Sequence, residues 1–375
     1  MKIISSILLS AGLLVCMSHQ ASSQGCVAIR GNTGCGTNVG SSLNLMKGDL
    51  SVQTGYRYFK SFRHFRGDHE ETHRLDEGTE VINRSSFLDF SVNYGLTDRW
   101  YLNAIIPFVY HTRSSMYEHG GNPPNGLGER HTTSSYGLSD IRIGAGYWLF
   151  DPQKHSFNYA LGIGLKLPTG KYDYTDTFYN QGDNRDQNVE SVVDQSIQPG
   201  DGGLGIALDL QGYHPISSHL GVSTSLYYLI NFWETNGVAT RRGTSEFSCA
   251  DQYAARIGGL YNIPGGFNAY LGARIEGVPS EDLIGGNAGY RRPGFAISAE
   301  PGLGYAIGGF SFFASVPVAL YRNRTRSYQD IQRTQQTGRY RHGDAAFADY
   351  LINVGVSYRF SEHGTSAIDT PIMDH

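Results

Sequence analysis

Beyond its first two dozen residues, this chain lacks any apolar run long enough to cross a bilayer as a helix, which takes about 18 residues. Charged residues are also scarce, at 17%, where globular domains usually carry about a quarter. The net charge of −4 leaves no basic excess, so we expect no nucleic-acid partner. The mature chain is therefore either a secreted soluble protein or a membrane protein that crosses with strands.

The N-terminus has the order of a secretory signal peptide. Lys2 is followed by an apolar run at 3–17 and then by small and polar residues at 18–24. This run is too short for a spanning helix, and we predict a signal peptide at 1–24. A lipoprotein reading at Cys16 stays open as an alternative, although the branched Val15 before it argues against lipidation.

Cysteine is scarce, with four residues in the whole chain, and Cys16 lies within the signal peptide. Export permits disulfides, and Cys26 and Cys35 are close enough in sequence to close a small loop. We therefore predict a Cys26–Cys35 disulfide and a free, exposed thiol at Cys249. The neighbourhood of these cysteines offers no partners for a metal or redox role, so we expect no metal and no cofactor.

Glycine, tyrosine and phenylalanine are abundant, at 48, 25 and 18 residues, and apolar and polar residues alternate with a period of two. In the segment 88–96, for example, Leu88, Phe90 and Val92 face one way while Asp89 and Ser91 face the other. Comparable segments lie at 50–58, 100–110, 141–149, 157–167, 204–210, 220–232, 253–261, 267–275, 295–305, 310–320 and 348–360. Segments of about 9–14 residues have the length of tilted membrane strands.

The connections between these segments alternate between short and long, which is typical of bacterial outer-membrane barrels with short periplasmic turns and long extracellular loops. A soluble β-sandwich would not sort its connections by length in this way. We predict an all-β protein, a transmembrane antiparallel β-barrel of about 12 strands. It comprises an N-terminal periplasmic segment or lumen plug at 25–47, a barrel at 48–360 and a polar tail at 361–375.

The apolar register must face lipid, so the polar register must face the lumen. We expect its charged residues to line the solute path or to form internal salt bridges, and its glycines to keep part of a narrow lumen open. Acids and bases are nearly balanced, which favours internal pairing over ion selectivity. The predicted lumen residues are Arg57, Asp89, Asp140, Arg142, Lys166, Asp209, Arg256, Arg274, Glu276, Glu300, Asp349 and Arg359.

Several segments resemble the MetA-pathway-of-phenol-degradation family of outer-membrane proteins, over roughly residues 85–360. The stretches that carry the resemblance are Gly-Leu-Ser-Asp-Ile-Arg-Ile-Gly at 137–144, Leu-Lys-Leu-Pro-Thr-Gly at 165–170, Gln-Pro-Gly-Asp-Gly-Gly at 198–203 and Val-Ser-Tyr-Arg-Phe at 356–360. The resemblance implies a barrel that passes small hydrophobic or aromatic compounds. It also implies a closing strand whose aromatic end is read by the barrel-assembly machinery.

One stretch resembles a catalytic motif. Residues 69–73 read His-Glu-Glu-Thr-His, the zinc-protease pattern, but this chemistry needs both histidines on one face of a helix. The stretch lies among charged residues without an apolar stripe, so we expect a solvated loop. We predict no catalytic residues and no enzymatic activity.

The leading hypothesis is an outer-membrane channel or uptake protein for small, hydrophobic or aromatic solutes, which diffuse passively through a narrow lumen. The alternative is a structural or interaction barrel whose lumen is filled and whose long loops bind a partner. The expected partners are outer-membrane lipid and lipopolysaccharide, the assembly machinery and a small solute.

Overall fold

The computed structural model describes residues 44–361, and these form a closed antiparallel β-barrel. Ten unbroken strands and two broken ones make a ring of twelve, which closes where the first strand pairs with the last, from Leu50 opposite Phe360 upward. The predicted all-β fold and strand number are confirmed. The predicted signal peptide at 1–24, the disulfide between Cys26 and Cys35, and most of the C-terminal tail lie outside the described residues.

The ring runs in chain order, with neighbouring strands paired throughout. Its members are β1 (Leu50–Arg66), β3 (Ile82–Gly95), β4 (Trp100–Ser115), β5 (His131–Leu138) continued by β6 (Arg142–Trp148), β7 (Asn158–Lys166), β10 (Gly205–Pro215), β11 (Leu220–Asn231), β14 (Gln252–Ile263), β15 (Phe267–Val278), β16 (Gly294–Ile307), β17 (Phe310–Ser315) continued by β18 (Val318–Asn323), and β19 (Ala345–Phe360).

The long connections hold secondary structure of their own. They contain β2 (His69–Glu70), β8 (Thr175–Gln181), β9 (Gln187–Val192), β12 (Thr235–Ala239), β13 (Glu246–Ser248), the helices α1 (His73–Asp76) and α2 (Tyr328–Thr337), and a 3-10 turn at Gln195–Ile197. Within residues 44–361, neither helix combines the length and the apolarity that crossing a membrane requires.

Side-chain exposure alternates along the strands and separates two faces of the wall. Val92 is 41% exposed, whereas Ser91 beside it is 2% exposed. The exposed register is apolar and aromatic, and the buried register carries most of the polar residues. This arrangement suits a barrel in lipid, because only the inner face offers partners for polar groups.

Two breaks interrupt the wall, and each lies opposite a proline. Pro107 in β4 faces the gap between β5 and β6, where its carbonyl accepts a hydrogen bond from Ser139 N–H at 2.8 Å. Pro301 in β16 faces the gap between β17 and β18 and accepts from Val316 N–H at 3.0 Å. Proline has no N–H to donate, so the ladder bends where the donor is missing.

Several strands are longer than the alternating pattern indicates. β1 has 17 residues and β4 has 16, because both continue past the apolar band on the side of the long loops. The zinc-protease-like stretch begins in this extension. His69 lies in β2, which pairs with β1, whereas His73 begins the single turn α1. The two histidines therefore do not share one face of a helix.

The inward glycines do not keep the lumen open, and that expectation was wrong. A Cβ on Gly146 would overlap the ring of Tyr101, and one on Gly355 would overlap the ring of Phe313. The ring of Tyr270 fills the same space over Gly258 and Gly272. These rings come from neighbouring strands, or for Gly272 from β15 itself, and in each case the glycine makes room for a ring instead of solute.

Candidate functional site

The connection between β7 and β10, residues 167–204, folds back into the barrel, and we call it the plug loop. Three of the family-like stretches meet where it leaves and rejoins the wall. The first contributes Asp140 at the break between β5 and β6. The second contributes Gly170 at the start of the plug loop, and the third contributes Gly200 and Asp201 near its end.

Asp140 fixes both ends of the plug loop. Its Oδ1 accepts a hydrogen bond from Gly170 N–H at 3.0 Å, and its Oδ2 accepts one from Asp201 N–H at 3.1 Å. A Cβ on Gly170 would lie 2.8 Å from Gly200 Cα. The two ends of the plug loop can therefore approach this closely only because both residues are glycine. A carboxylate is suited to this place because it can accept two backbone bonds at once.

Two bases of the predicted set lie beside this anchor. Lys166 is buried, and its ammonium group contacts the carboxylate of Asp201 and lies 3.9 Å from Asp140. The guanidinium of Arg142 lies 5.5 Å from the ring centroid of Tyr227. Buried charges must be paired to offset their lost hydration. The group therefore holds the plug loop with charge as well as with backbone hydrogen bonds.

A cavity of about 110 Å³ lies between the plug loop and the wall. Its apolar lining includes Phe87, Phe247 and Val278. Its polar lining combines charged and amide side chains from the wall, the plug loop and the connection between β11 and β14: Asp140, Arg142, Lys166, Asp201, Gln195, Gln198, Asn236 and Gln252. The cavity is therefore amphipathic, and three of these charged residues, Asp140, Arg142 and Lys166, belong to the predicted lumen set.

A buried ionic cluster fastens the plug loop to its neighbours. Asp194 receives two hydrogen bonds from the guanidinium of Arg292, at 2.7 and 2.5 Å, and lies 3.6 Å from Arg113. It also accepts from Ser196 N–H at 3.0 Å and so caps the 3-10 turn. Burial by itself raises the pKa of the Asp194 carboxyl, but Arg113 and Arg292 outweigh it and hold that pKa well below its usual range.

Cys249 belongs to the same packed region, and the expectation of an exposed thiol was wrong. The residue is fully buried, and its thiol donates to the carbonyl of Asp201 at 3.3 Å. Burial, followed by the nearby charge of Asp201, raises the pKa of the thiol to about 12. Because the thiolate is the reactive form, the folded protein keeps this cysteine inert.

A second segment crosses the opposite mouth of the barrel. Residues 44–49, which we call the inner strap, leave β1 and reach Tyr213 in β10, nearly opposite in the ring of twelve. Asn44 Nδ2 donates to the hydroxyl of Tyr213, and Gly48 N–H donates to Gly95 C=O at 2.9 Å. Leu45 is buried. A segment of the chain therefore lies across each end of the lumen.

The structure places the other predicted lumen residues on the inner face in separate groups. Arg256 Nε lies 2.9 Å from Glu300 Oε2, and Arg274 lies 2.5 Å from Glu276. Arg57 donates to Asn353 at 3.2 Å, and Asp209 lies against Gly162. Asp349 pairs with Arg63 and Arg322, Arg359 pairs with Asp49, and Asp89 is buried beside Pro107.

Sequence reasoning missed two sets of residues. The inner face carries an apolar cluster of Phe59, Phe87, Val109 and Leu351, although the alternating pattern predicts polar residues there. Adjacent apolar pairs such as Phe87-Leu88 break the alternation and would have signalled it. The cluster around Asp194 gave no signal, because Asp194 and Arg292 come from connections without periodicity and Arg113 lies at the end of β4, beyond its alternating segment.

Comparisons with known proteins agree with this architecture. Residues 82–211 match the family described as Putative MetA-pathway of phenol degradation, which confirms the resemblance over a shorter range than expected. The structure described as the COG4313 outer membrane channel from Pseudomonas putida F1 has a TM-score of 0.57 at 14% identity. The alignment covers 87% of this chain and 100% of that one.

Two further structures are more distant. A Pseudomonas aeruginosa FadL homologue has a TM-score of 0.42 at 10% identity, covering 90% of this chain and 96% of that one. The P. putida toluene transporter TodX has a TM-score of 0.40 at 11% identity, covering 88% and 94%. The chain is a twelve-stranded barrel with the fold of an outer-membrane channel, and its residues 82–211 carry the sequence pattern of the phenol-degradation family.

Proposed function

We propose that this protein is an outer-membrane channel that takes up small hydrophobic or aromatic solutes through a gated lumen. The observation that carries the proposal is the amphipathic cavity under the plug loop. Its apolar lining residues, which include Phe87 and Phe247, suit an aromatic ring, and its polar lining residues suit a hydroxyl or other polar substituent. The predicted lumen residues around Asp140 would act as a positioning group and not as a selectivity filter.

The size of the cavity bears on the mechanism. A closed apolar cavity that binds benzene has about 150 Å³. The cavity here has about 110 Å³, so a benzene-sized ring needs a small movement of the plug loop to enter. Diffusion is then passive, and the bonds to Asp140 set how readily the plug loop moves. The inner strap would have to move as well before solute reaches the periplasm.

Planar-bilayer recordings test the proposal. The wild-type protein should give small steady openings, and phenol should reduce the current while sucrose, which is too large for the cavity, should not. Asp140→Asn should raise the conductance or the open probability, because an amide cannot accept both backbone bonds. Asp209→Asn is the matched control, since this lumenal carboxylate lies against Gly162 and not against the plug loop.

The thiol of Cys249 provides a second readout. Maleimide should label it slowly in the wild type and in Asp209→Asn, and faster in Asp140→Asn, because the thiol contacts the end of the plug loop. Silent bilayers for the wild type and for Asp140→Asn would contradict the channel. They would favour the alternative, a structural or interaction barrel, which is supported by the segments that lie across both ends of the lumen.

The remaining partners follow from the proposed location in the cell outer membrane. The closing strand β19 ends at Phe360, which is 53% exposed, and we expect the barrel-assembly machinery to read this aromatic end. The outer face would contact lipid and lipopolysaccharide. The proposed activity requires no metal, cofactor or catalytic residue.

A further inference from the structure

Two basic residues stand side by side on the outer face of the barrel. Lys60 in β1 and Arg84 in β3 are directly opposite each other in the ladder. Both point outward, because their neighbours Phe59, Ser85 and Asn83 are buried on the inner face. Like charges directly opposite on neighbouring strands destabilise a sheet unless an anion lies between them.

The described residues supply no such anion. Neither Lys60 nor Arg84 forms an ion pair within residues 44–361, and the ammonium group of Lys60 instead lies 4.3 Å from the ring centroid of Phe62. The outward positions around the pair carry no acid; they are Tyr56, Tyr58, Ser86, Leu88, Tyr110, Thr112, Tyr350 and Ile352. The pair therefore presents two positive charges beside an apolar and aromatic surface.

The height of the pair matches the polar boundary of a membrane. Ten residues separate Arg84 from the exposed Tyr94 on the same strand. At about 3.3 Å per residue and a tilt of about 40°, this is about 25 Å along the membrane normal, the height of the apolar band of such barrels. Tyr110 and Tyr136 are exposed and face each other in the ladder, level with Ser86, which is two residues from Arg84 on the side of the apolar band. Aromatic girdles mark the membrane interface at this level.

We propose that Lys60 and Arg84 form a binding site for the phosphate of an outer-leaflet glycolipid of the lipid A type. Arginine binds phosphate through paired N–H groups and lysine as a point charge, and the aromatic surface below would contact the acyl chains. A soluble anion would contact only the two basic side chains. An amphipathic lipid would contact these side chains through its phosphate and the aromatic surface through its acyl chains. The inference rests on the proposed location in the outer membrane but not on transport.

Native mass spectrometry of the purified, delipidated barrel tests the site. Bisphosphorylated lipid A should bind the wild type, and the double variant Lys60→Gln/Arg84→Gln should bind it about tenfold more weakly or worse, because two charge-assisted contacts are lost. The control Arg242→Gln/Arg339→Gln removes two charges from exposed loop positions and should bind like the wild type. Lys60→Arg/Arg84→Lys keeps the charges and should retain binding.

The ligand arms separate the possible sources of the phosphate. Fully dephosphorylated lipid A should bind the wild type and the double variant equally weakly, and inorganic phosphate at the same concentration should not compete. The site would be overturned if the double variant and the control bound bisphosphorylated lipid A equally well. It would also be overturned if the wild type bound dephosphorylated lipid A as tightly as the bisphosphorylated form. Competition by inorganic phosphate would overturn the lipid assignment. The double variant should have the same conductance as the wild type, so that a failure of the lipid site can be distinguished from a failure of the channel proposal.

Discussion

At the scale of single residues, the two faces of the wall set opposite demands on neighbouring positions. Val92 and Asn93 are adjacent in β3, yet Val92 is exposed on the outer face while Asn93 is partly buried on the inner one. Only the inner position offers water or polar partners to a charge. Tolerance of a charged substitution should therefore change from one residue to the next.

The prediction is an assembly defect for Val92→Lys and little effect for Asn93→Lys. A basic side chain on the lipid face costs about 2–4 kcal/mol at the bilayer midplane and about 0–1 kcal/mol near the interface, and the cost of Val92→Lys should fall between these values. The measurement is the folded fraction after refolding into lipid vesicles, compared across a urea series. Equal defects at both positions would show that the assignment of the two faces is wrong. Gly144 cannot serve as an inner control, because a Cβ there would lie 2.6 Å from Asn103 Oδ1.

At the scale of elements, the hairpin of β8 and β9 forms part of the plug loop and packs against a buried histidine, His119. The ring of His119 stacks on Phe178 at a centroid distance of 5.4 Å, and its Nδ1 accepts from Tyr179 N–H at 3.1 Å. Burial lowers the pKa of His119 to about 4. The imidazole is therefore neutral in the folded loop at neutral pH, as its acceptor role requires.

The hairpin should loosen as the pH falls from about 6.5 to about 4. In this window the unfolded loop binds a proton on His119 and the folded loop does not, so the stabilisation present above pH 6.5 is lost, by about 2–3 kcal/mol at pH 4. Hydrogen exchange of residues 175–192 measures the effect. His119→Gln keeps an acceptor without titrating, and an identical pH response in this variant would contradict the assignment to His119.

At the scale of the whole molecule, ring closure makes the barrel resistant to unfolding. Every barrel strand is paired on both sides, and β1 pairs with β19 along most of its length. A closed barrel has no free edge from which pairing can unzip, so unfolding is kinetically slow. The inner strap adds a contact across the lumen to Tyr213 in β10, and the plug loop adds one to Ser248 in the connection between β11 and β14.

The purified protein should migrate differently on a detergent gel before and after boiling, because the closed barrel withstands the detergent until it is heated. Fractionation of the cells should recover it with the outer membrane. Identical mobility in both lanes, together with recovery from the soluble periplasm, would contradict both the barrel in lipid and the proposed location. If the wild-type protein shifts on the gel and fractionates with the outer membrane but gives no conductance in bilayers, only the channel proposal is contradicted.

The sequence by itself determined the barrel. Alternation is a local property of each strand, since successive side chains point to opposite faces, and the choice of face follows from which register is apolar. The residue types of Val92 and Ser91 therefore predict which face of the wall each side chain occupies, without knowledge of their neighbours in space. The twelve alternating segments gave the strand number, and the sorted connection lengths favoured a membrane barrel over a soluble sandwich.

Only the tertiary structure decided how the lumen is filled. Asp140, Gly170 and Asp201 are far apart in the chain, and the hydrogen bonds that join them have no periodic signature. The same holds for Cys249, which lies in a polar connection and is buried because that connection folds inward. The prediction that inward glycines keep the lumen open failed for a related reason. A missing side chain leaves space, but the surrounding side chains decide whether a ring or a solute fills it.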